Sequence, residues 1–256
     1  MTVLCVAAGQ LLAGPDPATN LITATETIVR AAAAGAELVA LPEATMACFG
    51  TEPRAIAEPL DGPFATGLRK VAADLGVVVV AGLFEPADDG RVHNTLLATG
   101  PGVEATYRKI HLYDAFGSRE SDVVAPGNQL TTFRFGGVRI GLATCYDLRF
   151  AAQFTDLGRL GAELIVVPAS WGAGPGKEDQ WDLLTRARAA DAQAWLLACD
   201  QAYTAPRGTD PLGIGRSALI TPTGHPRARL AATPDVLIAT IDTETVTDTR
   251  GRIPIL

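Results

Sequence analysis

Cysteine, lysine and long apolar runs are all scarce in this chain, and each scarcity removes a class of protein. Four cysteines (Cys5, Cys48, Cys145 and Cys199) are scattered over 256 residues with no CxxC pair and no metal-ligand spacing. Neither a disulfide framework nor a zinc site is expected, and such usage fits the reducing cytoplasm. Lysine and arginine together number 21 against 28 aspartates and glutamates, giving a formal charge of −7 with no basic cluster. That balance argues against nucleic acid or an anionic membrane surface as a partner and leaves a small molecule. The stretch from Met1 to Ala13 lacks the basic start of a signal peptide and is broken by Gln10. No apolar run approaches membrane-spanning length; Val77 to Phe84 is far too short.

What the chain does have is apolar residues, 48% of the total, enough for a large buried core in one domain over residues 1–256. Strand-like and helix-like runs alternate almost from end to end. Strands are expected at Val3 to Ala7, Glu37 to Leu41, Val77 to Phe84, Thr95 to Thr99 and Glu104 to Ile110, with helices over Ala18 to Ala34 and Phe64 to Leu75. A long loop follows, Tyr113 to Asn128, then a hairpin around Gly136-Gly137 joining Leu130 to Phe135 with Val138 to Thr144. Helices over Phe150 to Leu160 and Asp179 to Ala194 bracket a strand at Glu163 to Pro168, and further strands lie at Trp195 to Cys199, Arg216 to Thr221 and Val236 to Ile241 before a terminal tail. The Pro- and Gly-rich segment from Ala205 to Gly215 reads as a mobile loop. Short, continuous, β-branched strands are those covered on both faces, so an α/β layered sandwich is expected.

Three reactive side chains each stand just beyond an apolar strand. Glu43 follows Leu38-Val39-Ala40-Leu41-Pro42, Lys109 ends Thr106-Tyr107-Arg108, and Cys145 ends the run from Val138 to Ala143. Strand ends along one rim are where α/β proteins build their sites. Lys109 carries extra weight because the chain has three lysines against 18 arginines, so a lysine beside Arg108 points to a need for a compact ammonium. Cys145 sits where a strand turns sharply into a helix, which exposes the central side chain. Cys5 and Cys199 lie inside apolar runs and read as core, whereas Cys48 fits either a pocket wall or the core.

These motifs resemble a known family. Leu-Pro-Glu-Ala at 41–44, Tyr-Arg-Lys-Ile-His-Leu at 107–112 and Cys-Tyr-Asp-Leu-Arg-Phe at 145–150 resemble the three signatures of the nitrilase (carbon–nitrogen hydrolase) superfamily, in the same order and at similar spacing. Pro-Ala-Ser-Trp at 168–171, Arg-Ala-Arg-Ala at 186–189 and Gly-Ile-Gly-Arg-Ser at 213–217 extend the likeness over nearly the whole chain, toward the amidase branch that includes omega-amidase and deaminated-glutathione amidase. The resemblance implies a four-layer αββα sandwich, commonly a homodimer, bearing a Glu43-Lys109-Cys145 triad. It also implies a second glutamate in the loop after the lysine, which Glu120 matches. Two departures stand near the expected pocket: Ala151 replaces the usual proline region after Arg149-Phe150, and Gln180 stands where many relatives carry histidine before Trp181. Trp171 and Gln180, with Arg149, are the expected substrate-binding side chains.

The implied chemistry is coherent. Glu43 can take the Cys145 proton, the thiolate can attack an amide carbon, and Lys109 with the Tyr146 backbone N–H can hold the oxyanion. Water then hydrolyses the thioester, and no metal or cofactor is required. The expected activity is hydrolysis of a small aliphatic, carboxylate-bearing amide with release of ammonia. A nitrilase or N-carbamoyl hydrolase on the same triad is the alternative, and a non-catalytic scaffold a more distant one. A histidine base drawn from His93, His111 or His225 competes weakly, since His111 reads as a structural neighbour of Lys109. Gly172 to Lys177 fails the phosphate-loop spacing and reads as a substrate-facing loop. Asp147 fits a helix cap, and Arg149 fits a cap, a structural ion pair or a substrate-carboxylate partner equally.

Overall fold

The structure, a computed structural model, describes residues 2–205, 208, 210 and 212–256. In chain order its elements are β1 (Val3–Gln10), α1 (Pro17–Ala33), β2 (Leu38–Ala40), α2 (Pro53–Ile56), α3 (Pro63–Leu75), β3 (Val78–Pro86), β4 (Val92–Gly100) and β5 (Val103–Arg108). The second half holds β6 (Thr131–Phe135), β7 (Val138–Leu142), α4 (Ala151–Arg159), β8 (Leu164–Ala169), α5 (Lys177–Ala192), β9 (Trp195–Asp200), β10 (Ala218–Ile220), β11 (Pro226–Arg229), β12 (Asp235–Asp242) and α6 (Thr243–Arg252).

Among the described residues the strands form two six-stranded sheets, ordered β12-β1-β2-β3-β4-β5 and β11-β10-β9-β8-β7-β6. Within each, the central strands run parallel (β1-β2-β3 and β7-β8-β9) and the outer pairs antiparallel. Alternating side chains of the parallel strands explain the layering. One set, including Val6, Leu38, Val80, Ile140, Val166 and Leu197, fills the space between the sheets. The opposite set from the first sheet packs on α1 and α3 through Ile28 and Leu68, and that from the second packs on α4 and α5 through Phe154 and Trp181. The result is the αββα sandwich expected from the motifs.

Local signals set the element ends. Asp16 caps α1 by accepting the Thr19 N–H at 2.8 Å, with Pro17 at the first helical position, and Gly76 closes α3 in the left-handed conformation (φ 69°). The Gly136-Gly137 hairpin joins β6 to β7 with both glycines at positive φ, as a two-residue turn requires. The expected terminal tail is instead the helix α6, capped by the Asp242 carboxylate on the Thr245 N–H at 2.6 Å. Only Val246 and Thr249 of that helix are buried, so the apolar stripe that marks a helix in sequence is nearly absent. Pro206, Arg207, Thr209 and Pro211, inside the expected mobile loop, lie outside the described residues, as does Met1.

Candidate active site

Glu43, Lys109 and Cys145 arrive at one place from the ends of three strands. Past β2 the chain turns at Pro42, and Ala44 holds a φ of 55°, a region an L side chain rarely occupies. Gly82 of β3 lies against this turn: a Cβ there would stand 2.7 Å from the Ala44 nitrogen and 2.9 Å from the Glu43 Cα. Only glycine lets β3 support Glu43 so closely. Lys109 follows β5 directly, and its N–H donates to the Asn94 carbonyl of β4 at 2.9 Å. Cys145 opens a short 3-10 turn, Cys145–Arg149, with a φ of 44°. Such strain costs about 1–2 kcal/mol per residue and persists only where the surroundings fix it.

Asp147 is what fixes it. Its wholly buried carboxylate accepts the Thr144 N–H at 2.8 Å, the Tyr107 hydroxyl at 2.6 Å and both the His111 backbone N–H and ring Nδ1 at 3.1 and 2.8 Å. The cysteine turn is thereby bolted to the segment that carries Lys109. Asp147 is a tie between two elements rather than the cap of a following helix, and His111 partners Asp147 rather than the lysine.

Below the thiol lies a closed set of hydrogen bonds. The Lys109 ammonium donates to Glu43 Oε1 at 2.8 Å and to Glu120 Oε2 at 2.9 Å, with all three side chains nearly sealed from solvent. The Asn94 amide bridges the same two carboxylates, at 2.8 Å to Glu43 and 3.2 Å to Glu120. The Ser170 N–H donates to Glu43 Oε2 at 3.0 Å, and the Tyr113 N–H to Glu120 Oε2 at 2.6 Å. Burial opposes the charge on Lys109, but the Glu120 and Glu43 carboxylates outweigh it and hold the ammonium well above the ordinary lysine value. The Cys145 thiol is pushed well up, by burial first and the Glu43 charge second, with the Lys109 charge and the Ser170 backbone partly opposing. At rest the sulfur therefore keeps its proton and lies 3.9 Å from the Ser170 carbonyl oxygen, the acceptor it faces. A carboxylate placed as Glu43 is can accept that proton when a substrate arrives.

A pocket of about 170 Å³ opens on this cluster, lined by Glu43, Lys109, Glu120 and Cys145 and, farther out, by Tyr146, Arg149 and Trp171. It is apolar for most of its wall, with few polar groups converging, as small-molecule sites are. Gln180 does not line it. Lying on α5, it accepts a hydrogen bond from Arg149 Nη2 at 2.7 Å and so reaches the pocket only through that side chain, a correction to its expected contact with substrate. Cys48 is on the pocket wall; Cys199 is fully buried, while Cys5, expected in the core, is half-buried.

Two supporting residues are absent from the expected set. Asn94 lies inside β4 where the sequence suggests no strand, so nothing marked it. Asp200 ends the apolar strand β9 and carries the same signal as Cys145; it is fully buried and accepts the Trp171 and Ile214 N–H groups at 2.7 and 2.9 Å. Burial pushes its carboxyl well above the usual range. Among the described residues, no group of three or more His, Cys, Asp or Glu is arranged to hold a metal ion.

An αββα sandwich with a small pocket that opens on a thiol, a carboxylate and an ammonium is the framework of a hydrolase. The chain belongs to the carbon–nitrogen hydrolase family, whose model matches residues 5–251. It is accordingly a hydrolase acting on carbon–nitrogen bonds. It is 47% identical to Hydrolase Rv0480c of Mycobacterium tuberculosis, over 98% of this chain and 94% of that one. It is 32% identical to the deaminated glutathione amidase of Escherichia coli O157:H7, over 99% and 96%. Among solved structures it superposes, with a TM-score of 0.83 and 25% identity over 99% of this chain and 96% of that one, on an E41L mutant amidase from Nesterenkonia sp. AN1. That structure carries the acetamide moiety of fluoroacetamide covalently added at its active-site cysteine.

Proposed function

We propose that the protein is an amidase that hydrolyses a small aliphatic, carboxylate-bearing amide through a Cys145 acyl-enzyme. The observation that carries this reading is the sealed Glu43-Lys109-Cys145 cluster at the base of a small pocket. Glu43 takes the Cys145 proton as the sulfur adds to the amide carbon and the carbonyl electrons move to oxygen. The Lys109 ammonium and the Tyr146 N–H stabilise that oxyanion, where loss of one preorganised donor costs about 3–4 kcal/mol. Glu43 returns its proton to nitrogen, the carbon–nitrogen bond breaks and ammonia leaves. Water then gives a proton to Glu43 and its oxygen to the thioester carbon; the carbon–sulfur bond breaks and the sulfur recovers the proton. Glu120 holds Lys109 in register and orients the water.

The Arg149 guanidinium, with its buried Nε without a hydrogen-bond partner among the described residues, supports a carboxylate on the substrate. The relatives' amidase activity supports the amide bond as the target. Cytoplasmic residence and a homodimer belong to the same proposal, and no described helix is long and apolar enough to cross a membrane. Assay of short ω-amides, nitriles and N-carbamoyl amino acids tests it: ammonia from the amides without carbon dioxide, and none from Cys145→Ala, is the expected result. Nitriles or carbamoyl compounds as the preferred substrates, or hydrolysis retained by Cys145→Ala, would overturn it.

A further inference from the structure

Two of the chain's three lysines line the pocket, and only Lys109 is used by the chemistry above. The other is Lys177, the first residue of α5. Its placement is built. Gly174 and Gly176 take φ of 145° and 69°, turning the chain after Trp171, and the Trp171 indole N–H donates to the Lys177 carbonyl at 3.0 Å, which closes the loop on the pocket wall. The Lys177 ammonium lies 3.5 Å from the centre of the Phe116 ring and 5.7 Å from that of Tyr113. The Arg149 guanidinium carbon lies 5.8 Å from the same Phe116 ring and 5.2 Å from that of Trp171. Two cations therefore converge on one set of aromatic faces.

Neither cation is neutralised. Among the described residues no carboxylate lies within salt-bridge distance of Lys177 or Arg149; the nearby Glu178 and Asp182 pair with Arg216, at 3.3 and 2.5 Å. Arg149 spends one nitrogen on Gln180 and leaves its buried Nε without an acceptor, and Lys177 Nζ makes no hydrogen bond among the described residues. Burial, then the Arg149 charge, holds the Lys177 ammonium below the ordinary lysine value. An unpaired pair of like charges in a partly desolvated wall is costly unless an anion occupies it.

We propose that Lys177 and Arg149 together form an anion subsite that holds the substrate carboxylate in the pocket they share with Cys145, with Lys177 as the residue that sets the preference for half-amides of short dicarboxylic acids over neutral amides. This rests on the amidase reading. The geometry divides the labour. Arg149, planar and fixed by Gln180, orients the anion, and Lys177, a point charge at the head of a short glycine loop, completes its neutralisation.

The test compares wild type with Lys177→Met, which keeps the aliphatic stem against Phe116, and Lys177→Arg. Half-amides of four- and five-carbon diacids are set beside butyramide. For Lys177→Met, KM for the half-amides should rise by about tenfold with kcat within about threefold, while kcat/KM for butyramide stays within about twofold. Lys177→Arg should retain most of the half-amide preference. The same variants on a Cys145→Ala background, titrated calorimetrically with half-amide, should show the same loss as an affinity change. Equal effects of Lys177→Met on charged and neutral amides, or no effect on either, would overturn the assignment of Lys177. Wild type favouring butyramide over the half-amides would overturn the carboxylate reading itself, so the two failures are distinguishable.

Discussion

Glu43 and Cys145 act on each other in opposite senses. While charged, the carboxylate raises the pKa of the thiol; in the proposed mechanism it is also the acceptor that removes the thiol proton once a substrate is in place. Replacing it with a neutral amide separates these effects. In Glu43→Gln the charge that raises the thiol is gone, so the pH profile of iodoacetamide labelling at Cys145 should move to lower pH, while amide hydrolysis falls by about a thousandfold. Labelling rates measured by peptide mass across pH check this, and a profile that moved upward would contradict the raising effect of the Glu43 charge on the thiol. At this scale much was legible in the sequence, because Glu43, Lys109 and Cys145 each end an apolar strand. The scarcity of lysine that singles out Lys109 applied equally to Lys177, where the glycine-rich context disguised it. Gln180 was misread because sequence gives position along α5 but not the Arg149 side chain that stands between it and the pocket.

Between elements, the site depends on two contacts that carry no chemistry. Gly82 of β3 lets the Glu43 turn approach, and the side chain of Gly82→Ala would collide with backbone atoms that cannot yield without moving Glu43. That substitution should lower kcat/KM by on the order of a hundredfold and destabilise the fold by about 1–3 kcal/mol, measurable by kinetics and urea unfolding. Asp147 joins the cysteine turn to Tyr107 and His111 through three hydrogen bonds and accepts a fourth from the Thr144 N–H within the turn. Asp147→Ala leaves those donors unsatisfied in the interior and should cost about 3 kcal/mol of stability, with activity lost even where the protein remains folded. Neither role was visible in sequence. A glycine inside a strand and an acid after a cysteine become informative only when the facing element is known. The helix α6 was missed for a related reason: it packs by two residues and is defined by its Asp242 cap rather than by an apolar stripe.

For the whole molecule, the layered fold followed from continuous apolar strands alternating with amphipathic helices, since strands covered on both faces leave few other arrangements. The interleaving of the two halves did not. The site draws Glu43, Lys109 and Glu120 from the first half of the chain and Cys145, Ser170 and Arg149 from the second, so it exists only when the two sheets are stacked. The C-terminal residues lie against α4 and α5, where Leu256 approaches Gly158 and the Ile253 carbonyl accepts from Gln193, leaving Leu160, Ile253 and Ile255 exposed. For the homodimer proposed above, sedimentation velocity should give a dimer, and a monomer at micromolar concentration would overturn that proposal. The proposed passage of catalysis through an acyl group on Cys145 is checked by acid quenching during steady-state turnover of a half-amide, followed by peptide mass analysis. The expected result is an acyl mass on the Cys145 peptide in the wild type, whereas continued turnover with the acyl mass on another residue, or hydrolysis by Cys145→Ala, would rule out a Cys145 acyl-enzyme.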